Sequence, residues 1–283
     1  MDGEGSHLWT PWRMAYVQSG TPEAGCIFCN RLVSQDDVTS LIVARDERFF
    51  VIMNLFPYNT GHVMLVPNDH VASPESCDPA VLADIAAATP GLLRALRRAL
   101  GCDGFNLGTN VGVIAGAGLA DHLHQHVVPR WMADANFMPI LAGTKVLPEL
   151  LPATYAKIRA ELATANAAPI CAVAVHPERD LVLTDPAGHL PRIEAQTGVA
   201  SWRTASEWLT EETASPWQIV GWAGDDRAGA GEAALAFIPA IAGSPMIHNA
   251  AVVSGAWRPV GELTETDRPI ARRALACSGK IPG

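Results

Sequence analysis

The segment Asp121-His-Leu-His-Gln-His-Val-Val-Pro-Arg-Trp131 decides how this sequence folds. Histidine recurs at every second position in it, at His122, His124 and His126. A β-strand has a period of two residues, so a strand here places the three imidazoles on one face. The opposite face then carries the alternating residues Leu123, Gln125 and Val127. An incidental histidine-rich tract is the alternative, but such tracts do not usually lie inside apolar β sequence behind a glycine-rich loop.

The sequence before this segment predicts an antiparallel meander followed by a helix. Short β-rich runs cover residues 40–45, 49–54 and 62–67, and turn signals separate them. Between residues 78 and 100, apolar side chains recur at three- and four-residue spacing, as on the buried face of a helix. Pro90 should kink or split this helix, because proline lacks the N–H and its ring collides with the preceding turn.

Two further runs complete the first half of the chain. Residues 105–110 and 122–130 read as strands, and a glycine-rich connection at residues 112–118 joins them. A helical pattern then occupies residues 148–168. The first half is therefore predicted to be α+β.

The second half begins at Asn166-Ala-Ala-Pro169, where strand patterns resume. Apolar runs at residues 170–175 and 181–184 flank a turn, and another covers residues 233–240. A length of 283 residues suits two domains of roughly 140 residues each. We therefore expect domains at residues 1–168 and 169–283, both α+β and each with its own core.

The composition excludes several classes of protein. Hydrophobic residues make up 49% and charged residues 17%, which argues against disorder. A net charge of -9 opposes broad nucleic-acid binding, although a small phosphate pocket needs only local donors. No stretch approaches the ~18 apolar residues of a membrane span, and residues 1–12 lack the layout of a secretory signal. We therefore expect a globular cytoplasmic protein.

The six cysteines are too few for a disulfide scaffold in a chain of this length. Cys26 and Cys29 form a C-x-x-C pair. In a reducing compartment such a pair favours metal binding or redox chemistry.

The alternating histidines followed by two apolar residues resemble the motif of the histidine triad (HIT) family of nucleotide hydrolases and transferases. The resemblance covers roughly residues 8–162, including residues 8–13, 54–62 and 105–110. Residues 122–137 look most like the actinobacterial diadenosine tetraphosphate phosphorylase branch. The family usually has a glutamine and a serine or threonine in the glycine loop, whereas this chain has Gly116-Ala-Gly-Leu-Ala-Asp121. The resemblance implies a HIT-type antiparallel sheet with helices.

The resemblance also implies roles for single residues. His124 would be the nucleophile that forms a nucleotidyl-histidine, its other ring nitrogen oriented by a backbone carbonyl. His126 would donate to a phosphate oxygen in the transition state, and His62 would close the pocket near the leaving group. The implied substrate-binding residues are Asn54, Asn110, Gly118 and Gln125. Turn chemistry is the alternative explanation for His62 and Asn110.

A structural zinc site is implied by the same resemblance. Its ligands would be Cys26, Cys29, His70 and His122. Two sulfurs and two nitrogens suit tetrahedral zinc, which would tie the N-terminal segment to the catalytic strand. The alternative is a pair of buried thiols without a metal.

The second half resembles a Nudix fold that has lost much of its motif. The resemblance runs from residue 190 through residue 214, and residues 256–263 look like the terminal strand and turn of that family. Trp208 and Val199 stand where two carboxylates of the magnesium site belong. We therefore expect a non-catalytic Nudix-like domain, the alternative being an exposed acidic helix on an unrelated α+β domain.

The expected activity is phosphorolysis of a dinucleoside polyphosphate such as diadenosine tetraphosphate, with phosphate as the acceptor. The alternatives are a HIT hydrolase that releases AMP and a non-catalytic nucleotide sensor. HIT proteins are usually homodimers, and the helix around residues 92–100 offers an apolar face for that contact.

Overall fold

The computed structural model describes residues 24–132, 134, 149–164, 168–225, 232–240 and 255–278. The motif at residues 8–13 and most of residues 133–148 lie outside the described residues, as do residues 166 and 167 at the expected boundary. The described chain forms two main sheets with helices packed against them.

The first half contains a five-stranded antiparallel sheet in the order β1-β2-β3-β5-β4. Its strands are β1 Ile42–Arg45, β2 Phe49–Met53, β3 Val63–Pro67, β4 Gly104–Thr109 and β5 Gln125–Arg130. The predicted meander of β1, β2 and β3 is confirmed. The last strand begins at Gln125 rather than at His122, because the Leu123 N–H donates to the Val71 carbonyl beyond the end of β3.

Six α-helices lie in the described residues. They are α1 Ile27–Val33, α2 Asp37–Ser40, α3 Pro79–Leu100, α4 Leu151–Ala163, α5 Ser201–Thr213 and α6 Asp267–Cys277. The two helices predicted in the first half correspond to α3 and α4.

Helix α3 has a start signal and a stop signal in its sequence. The Asp78 carboxylate accepts a hydrogen bond from a first-turn N–H, and Gly101 ends the helix in the left-handed region at φ 65°. Pro90 lies inside one continuous helix, so the expected split is wrong. Ile85 and Leu92, on either side of Pro90, both pack into the core, and this burial outweighs one missing hydrogen bond.

Helix α3 is also long and apolar enough to cross a membrane by length and composition, contrary to the sequence-based expectation. The core helix of a protein passes the same test, and Leu92 and Leu96 of this helix are buried within the chain. Leu92 and Leu96 of the face expected to form a dimer contact are therefore covered within the chain, and the dimer contact stays a prediction.

The two faces of the first sheet pack against different parts of the chain. Met64 and Val66 of β3 join a cluster with Phe28 of α1. Val63 and Leu65, which alternate with them, join the core that contains α3 and α4. One face of the sheet therefore packs against α3 and α4, and the other face packs against α1. Side chains of β3 alternate between these two faces.

The second half forms a four-stranded sheet in the order β8-β6-β10-β9 and a two-stranded sheet of β11 and β7. Its strands are β6 Ile170–Ala174, β7 Leu181–Thr184, β8 Arg192–Ile193, β9 Trp217–Trp222, β10 Ala234–Pro239 and β11 Ala256–Pro259. Strands β6 and β10 are parallel, and the other pairs are antiparallel. The apolar runs predicted as strands are confirmed, while the Nudix-like resemblance stays a prediction.

Helix α4 joins the two halves. Its Tyr155 hydroxyl donates to the Ile42 carbonyl at 3.0 Å, and its Arg159 donates to the Asp225 carbonyl at 2.6 Å. Buried residues of both halves form one continuous hydrophobic cluster around it. The expectation that each half has a separate core is therefore wrong, because α4 shares its apolar surface between both sheets. The boundary near residue 168 stays a prediction.

Candidate functional site

Three histidines meet at the centre of the first sheet. His126 lies in β5 opposite Met64 of β3, while His62 directly precedes β3. The ring centroids of His124 and His126 are 4.9 Å apart, and those of His62 and His126 are 5.1 Å apart. The structure thus brings together the three residues that the sequence predicted as catalytic.

The His124 ring has a fixed proton position. Its Nδ1 lies 2.8 Å from the His122 carbonyl oxygen, which can only accept a hydrogen bond. Nδ1 must therefore carry the proton, and Nε2 of the neutral ring keeps its lone pair. A ring held in this way presents a nucleophilic nitrogen.

The proton positions of His62 and His126 follow from a backbone N–H. The Tyr58 N–H donates to Nδ1 of His62 at 3.1 Å, so the proton of neutral His62 lies on Nε2. That Nε2 is 3.0 Å from Nδ1 of His126 and donates to it. Neutral His126 therefore carries its own proton on Nε2, as a donor to a bound group.

Burial lowers the pKa of His126, and the neighbouring His124 lowers it further. The ring is therefore neutral at pH values where an exposed histidine begins to protonate. His62 is fully buried behind His126. This placement differs from the expectation that His62 closes the pocket near the leaving group, because its two ring nitrogens are occupied by Tyr58 and His126.

Two aromatic residues of the site were missed by the sequence analysis. The Tyr58 ring stacks on His62 with centroids 5.0 Å apart, and Phe28 lies 5.2 Å from the His124 ring. Tyr58 is half exposed, whereas Phe28 is buried. The available signals were an aromatic residue four positions before His62 and one between the two cysteines of the C-x-x-C pair.

The predicted substrate-binding residues differ in their hydrogen bonds and in their exposure. The Asn54 carboxamide accepts from the Phe56 N–H at 2.8 Å, and the Asn110 amide donates to the Gly116 carbonyl at 3.4 Å. Both amides therefore support local turns, and their role in substrate binding stays a prediction. Gly118 is exposed in the loop before the histidines.

Gln125 does not join the triad. It pairs with Leu65 and Thr109 in the strand ladder. Strand alternation places it with Leu123, on the face opposite His126. Its prediction as a substrate-binding residue is not supported by this position.

Gly61 allows the turn that delivers His62. Its φ is 72°, in the left-handed region, and a Cβ at this position would overlap the Leu100 side chain. The turn therefore packs directly on the end of α3, and this close approach fixes where His62 enters the sheet.

The predicted metal ligands converge beside the triad. Ligand atoms of Cys26, Cys29, His70 and His122 all lie within 4.8 Å of one another. Tetrahedral zinc with Zn–S near 2.3 Å and Zn–N near 2.0 Å requires ligand atoms at about such separations. The cluster can therefore hold a metal ion.

His122 is oriented for metal binding by a second hydrogen bond. Its Nε2 donates to the Pro67 carbonyl at 3.0 Å, which leaves the lone pair on Nδ1. That Nδ1 lies 3.2 Å from Sγ of Cys26 and 3.6 Å from Sγ of Cys29. Burial lowers the pKa of His122, which favours the neutral form that binds metals. His122 thus serves the cysteine cluster, whereas the expected wall of three imidazoles is formed by His62, His124 and His126.

A buried antiparallel sheet that holds neighbouring imidazoles in fixed proton states defines a protein of the histidine triad class. The HIT domain family matches residues 35–132. The AP-4-A phosphorylase of Mycobacterium tuberculosis is 39% identical over 166 residues, which cover 55% of this chain and 84% of that protein. This chain therefore belongs to the HIT family, whose function is nucleotide processing.

Two further proteins are similar to this chain. The adenosine 5'-monophosphoramidase of Schizosaccharomyces pombe is 27% identical over 105 residues, which cover 37% of this chain and 74% of that protein. A Zn-bound histidine triad family protein from Mycobacterium smegmatis is 27% identical, with a TM-score of 0.42, covering 50% of this chain and 96% of that one.

Proposed function

We propose that this protein is a nucleotidyl transferase that cleaves dinucleoside polyphosphates by phosphorolysis. The observation that carries the proposal is the 2.8 Å hydrogen bond from Nδ1 of His124 to the His122 carbonyl, which leaves Nε2 as the nucleophile. His126 has its Nε2 proton available for a phosphate oxygen, because His62 donates to its Nδ1.

The reaction proceeds in two displacements. Nε2 of His124 attacks the α-phosphorus of diadenosine tetraphosphate, the P–O bond to the rest of the chain breaks, and ATP leaves. Inorganic phosphate then attacks the adenylyl-histidine, the P–N bond breaks, and ADP is released. The His126 proton stabilises charge on the non-bridging oxygens in both steps.

The name of a relative supports inorganic phosphate as the acceptor of the adenylyl group. The M. tuberculosis protein that shares 39% identity with this chain is named as a phosphorylase of the same dinucleotide. A second candidate is a hydrolase that transfers the adenylyl group to water and releases AMP. The S. pombe relative, named as an adenosine 5'-monophosphoramidase, favours this candidate.

Product analysis with diadenosine tetraphosphate separates the candidates. With phosphate present, the phosphorylase yields equal amounts of ADP and ATP, and omission of phosphate stops the reaction. The hydrolase yields AMP and ATP whether or not phosphate is present. Tight nucleotide binding without turnover in either condition would identify a sensor and contradict both enzymes.

The metal in the cysteine cluster is proposed to be zinc. Two thiolates and two imidazoles form a complete tetrahedral set, which is typical of structural rather than catalytic zinc. Cys26 and Cys29 flank the start of α1, and His122 is two residues from His124. Zinc would therefore hold Phe28 of α1 against the segment that orients the nucleophile.

The protein is further proposed to act in the cytoplasm as a homodimer with a non-catalytic Nudix-like second half. Strand β4 is at the edge of the first sheet, and its residues from Asn106 to Thr109 are exposed. An edge strand of this kind can pair with a second copy, so that the two sheets join. Light scattering of the full chain should then give about twice the mass of 30.0 kDa.

A further inference from the structure

A second cleft lies between the two halves of the chain. It has a volume of about 1010 Å³, at the upper end of the range of about 300–1,000 Å³ that small-molecule pockets occupy. Its walls are formed by the end of α3, the side of α4, the start of α5 and the end of β5. The residues that matter for its chemistry are Thr60, Arg97, Trp131, Lys157, Trp202 and Arg203.

This cleft is separate from the histidine site. His126 is opposite Met64 in the ladder, on the sheet face that packs against α1. The cleft is bordered by α3 and α4, which cover the other face. A molecule in the cleft therefore does not occupy the triad.

The charges lining the cleft leave an excess of cations. Its two acidic residues are already engaged: Asp134 pairs with Arg130 at 2.6 Å, and Glu149 pairs with Lys157. Arg97 and Arg203 have no carboxylate partner among the described residues. Since the chain carries a net charge of -9, this is a local positive surface on an acidic protein.

The cations are held in position by aromatic and backbone contacts. Nζ of Lys157 lies 4.2 Å from the centroid of the Trp202 ring, and the Arg203 guanidinium lies 5.4 Å from it. Arg97 donates to the Asp103 carbonyl at 2.8 Å, which fixes its side chain without neutralising its charge. The positive groups are therefore preorganised, which lowers the cost of binding an anion.

Two further groups in the cleft lack partners. Thr60 is 8% exposed, and its buried hydroxyl has no hydrogen-bond partner. Buried polar groups are normally paired, so this hydroxyl is an unpaired group behind the cleft wall, with no exposed surface of its own. The Trp131 ring is half-buried in the same wall, and no ring contact is recorded for it in the described part of the chain.

We propose that this cleft is a second, non-catalytic binding site for a nucleoside polyphosphate. The phosphates bind Arg97 and Arg203, and the base stacks on Trp131. This site does not depend on the proposed phosphorolysis, because none of its residues belongs to the triad.

The test uses the full chain with His124→Ala, so that no nucleotide is consumed during the measurement. ATP and, separately, inorganic triphosphate are titrated by calorimetry. We expect two binding events per chain for ATP. Arg97→Gln with Arg203→Gln should weaken one of them at least tenfold, because each substitution removes a charge-assisted contact.

Arg94→Gln with Arg272→Gln is the matched control, since both side chains are exposed and neither lines the cleft. Arg203→Gln alone keeps the test valid if loss of Arg97 impairs folding, because among the described residues the Arg203 side chain makes a ring contact with Trp202 but no hydrogen bond or ion pair. Trp131→Ala should weaken the binding of ATP but leave that of triphosphate unchanged.

The outcomes are distinct. Equal ATP binding by the parent, the Arg203→Gln variant and the control would overturn the site. Triphosphate binding as tight as ATP binding, unchanged by Trp131→Ala, would keep the phosphate site and overturn the stacking of a base. A chain that fails to cleave diadenosine tetraphosphate but binds ATP through Arg203 would contradict the proposed function and leave this proposal intact.

Discussion

Two buried polar sites, one in each half of the molecule, differ in whether all their polar atoms are paired. In the second half, the Asp267 carboxylate accepts from Arg192 at 2.7 Å and from the Leu190 N–H at 3.1 Å, and Arg192 also pairs with Glu232. In the first half, Nε2 of His124 makes no hydrogen bond within the described residues, while Nδ1 bonds the His122 carbonyl. Polar groups whose atoms are all hydrogen-bonded to one another stabilise a fold. A ring that is fixed by a hydrogen bond at one nitrogen and has a lone pair available at the other can react.

The same contrast holds between two residues of one segment. His122 and His124 each donate one ring proton to a backbone carbonyl. The free nitrogen of His122 faces two thiols, while that of His124 faces the site beside His126. Identical side chains two positions apart therefore have different surroundings at their second nitrogen, which suit the metal-binding role predicted for His122 and the nucleophilic role predicted for His124.

The largest effect expected is that of His124→Ala on turnover. Loss of a nucleophile that works with partner residues costs on the order of 10⁴-fold or more in kcat. Initial rates with diadenosine tetraphosphate measure it, and nucleotide affinity serves as the control for folding. A rate within tenfold of the parent protein would remove His124 from the mechanism.

His126→Ala should reduce kcat by about 10²- to 10³-fold, because it removes one donor to the phosphate oxygens. The parent protein should also show an acid limb of kcat/KM below pH 6.5, because protonation of His126 on Nδ1 breaks the hydrogen bond from His62 that positions its ring, and because burial and His124 lower the pKa of His126. The free energy of unfolding should also fall with pH below 6.5. His126 takes up a proton more readily in the unfolded chain than in the folded chain, so acid favours the unfolded state. An acid limb above pH 6.5 would contradict this assignment.

Cys29→Ser should release the metal and lower the melting temperature by several degrees, because metal-binding energy is partly folding energy. Metal analysis of protein purified without chelators is expected to give one zinc per chain in the parent protein and less in the variant. Cys77→Ser is the control, since Cys77 is a buried thiol outside the cluster. A parent protein that is active and stable without zinc would make these cysteines ordinary thiols.

Glu161→Gln should cost about 2 kcal/mol of unfolding free energy, because the buried carboxylate joins three helices. It accepts from Arg98 of α3 at 2.8 Å and from the Ser201 hydroxyl of α5 at 2.7 Å. We expect a single unfolding transition that shifts as a whole. The exposed Glu207→Gln on α5 should have almost no effect. Two separate unfolding transitions, of which only one shifts, would show that the two halves are independent domains.

The smallest effect concerns the second half, where we expect no activity at all. The full chain with His124→Ala should not hydrolyse nucleoside diphosphate linkages when magnesium is added. Trp208 packs against the shared core, and Val199 lines the cleft. Neither side chain is a carboxylate, so a magnesium site here would lack two of its expected ligands. Magnesium-dependent hydrolysis would show that the Nudix-like motif was misaligned.

Local patterns in the sequence were sufficient for most of the elements and for the triad. Short β-rich runs between turn signals located β1 to β3, and apolar residues at three- and four-residue spacing located α3. The limits were the start of β5 and the continuity of α3 through Pro90, since both depend on contacts with distant segments. Period and turn signals carry no information about which distant segment supplies a hydrogen bond or a packing surface.

The sequence by itself therefore predicted which residues form the candidate site, because their types and spacing are local properties. Only the tertiary structure decided the orientation, proton state and neighbours of each of these residues. It placed the Tyr58 N–H on His62, turned His122 towards the cysteines, and joined both halves through α4. It also created the cleft with Arg97 and Arg203, residues that are over 100 positions apart. The proton state of an imidazole and the charge of a cleft both depend on non-local neighbours, which folding alone brings within a few ångströms.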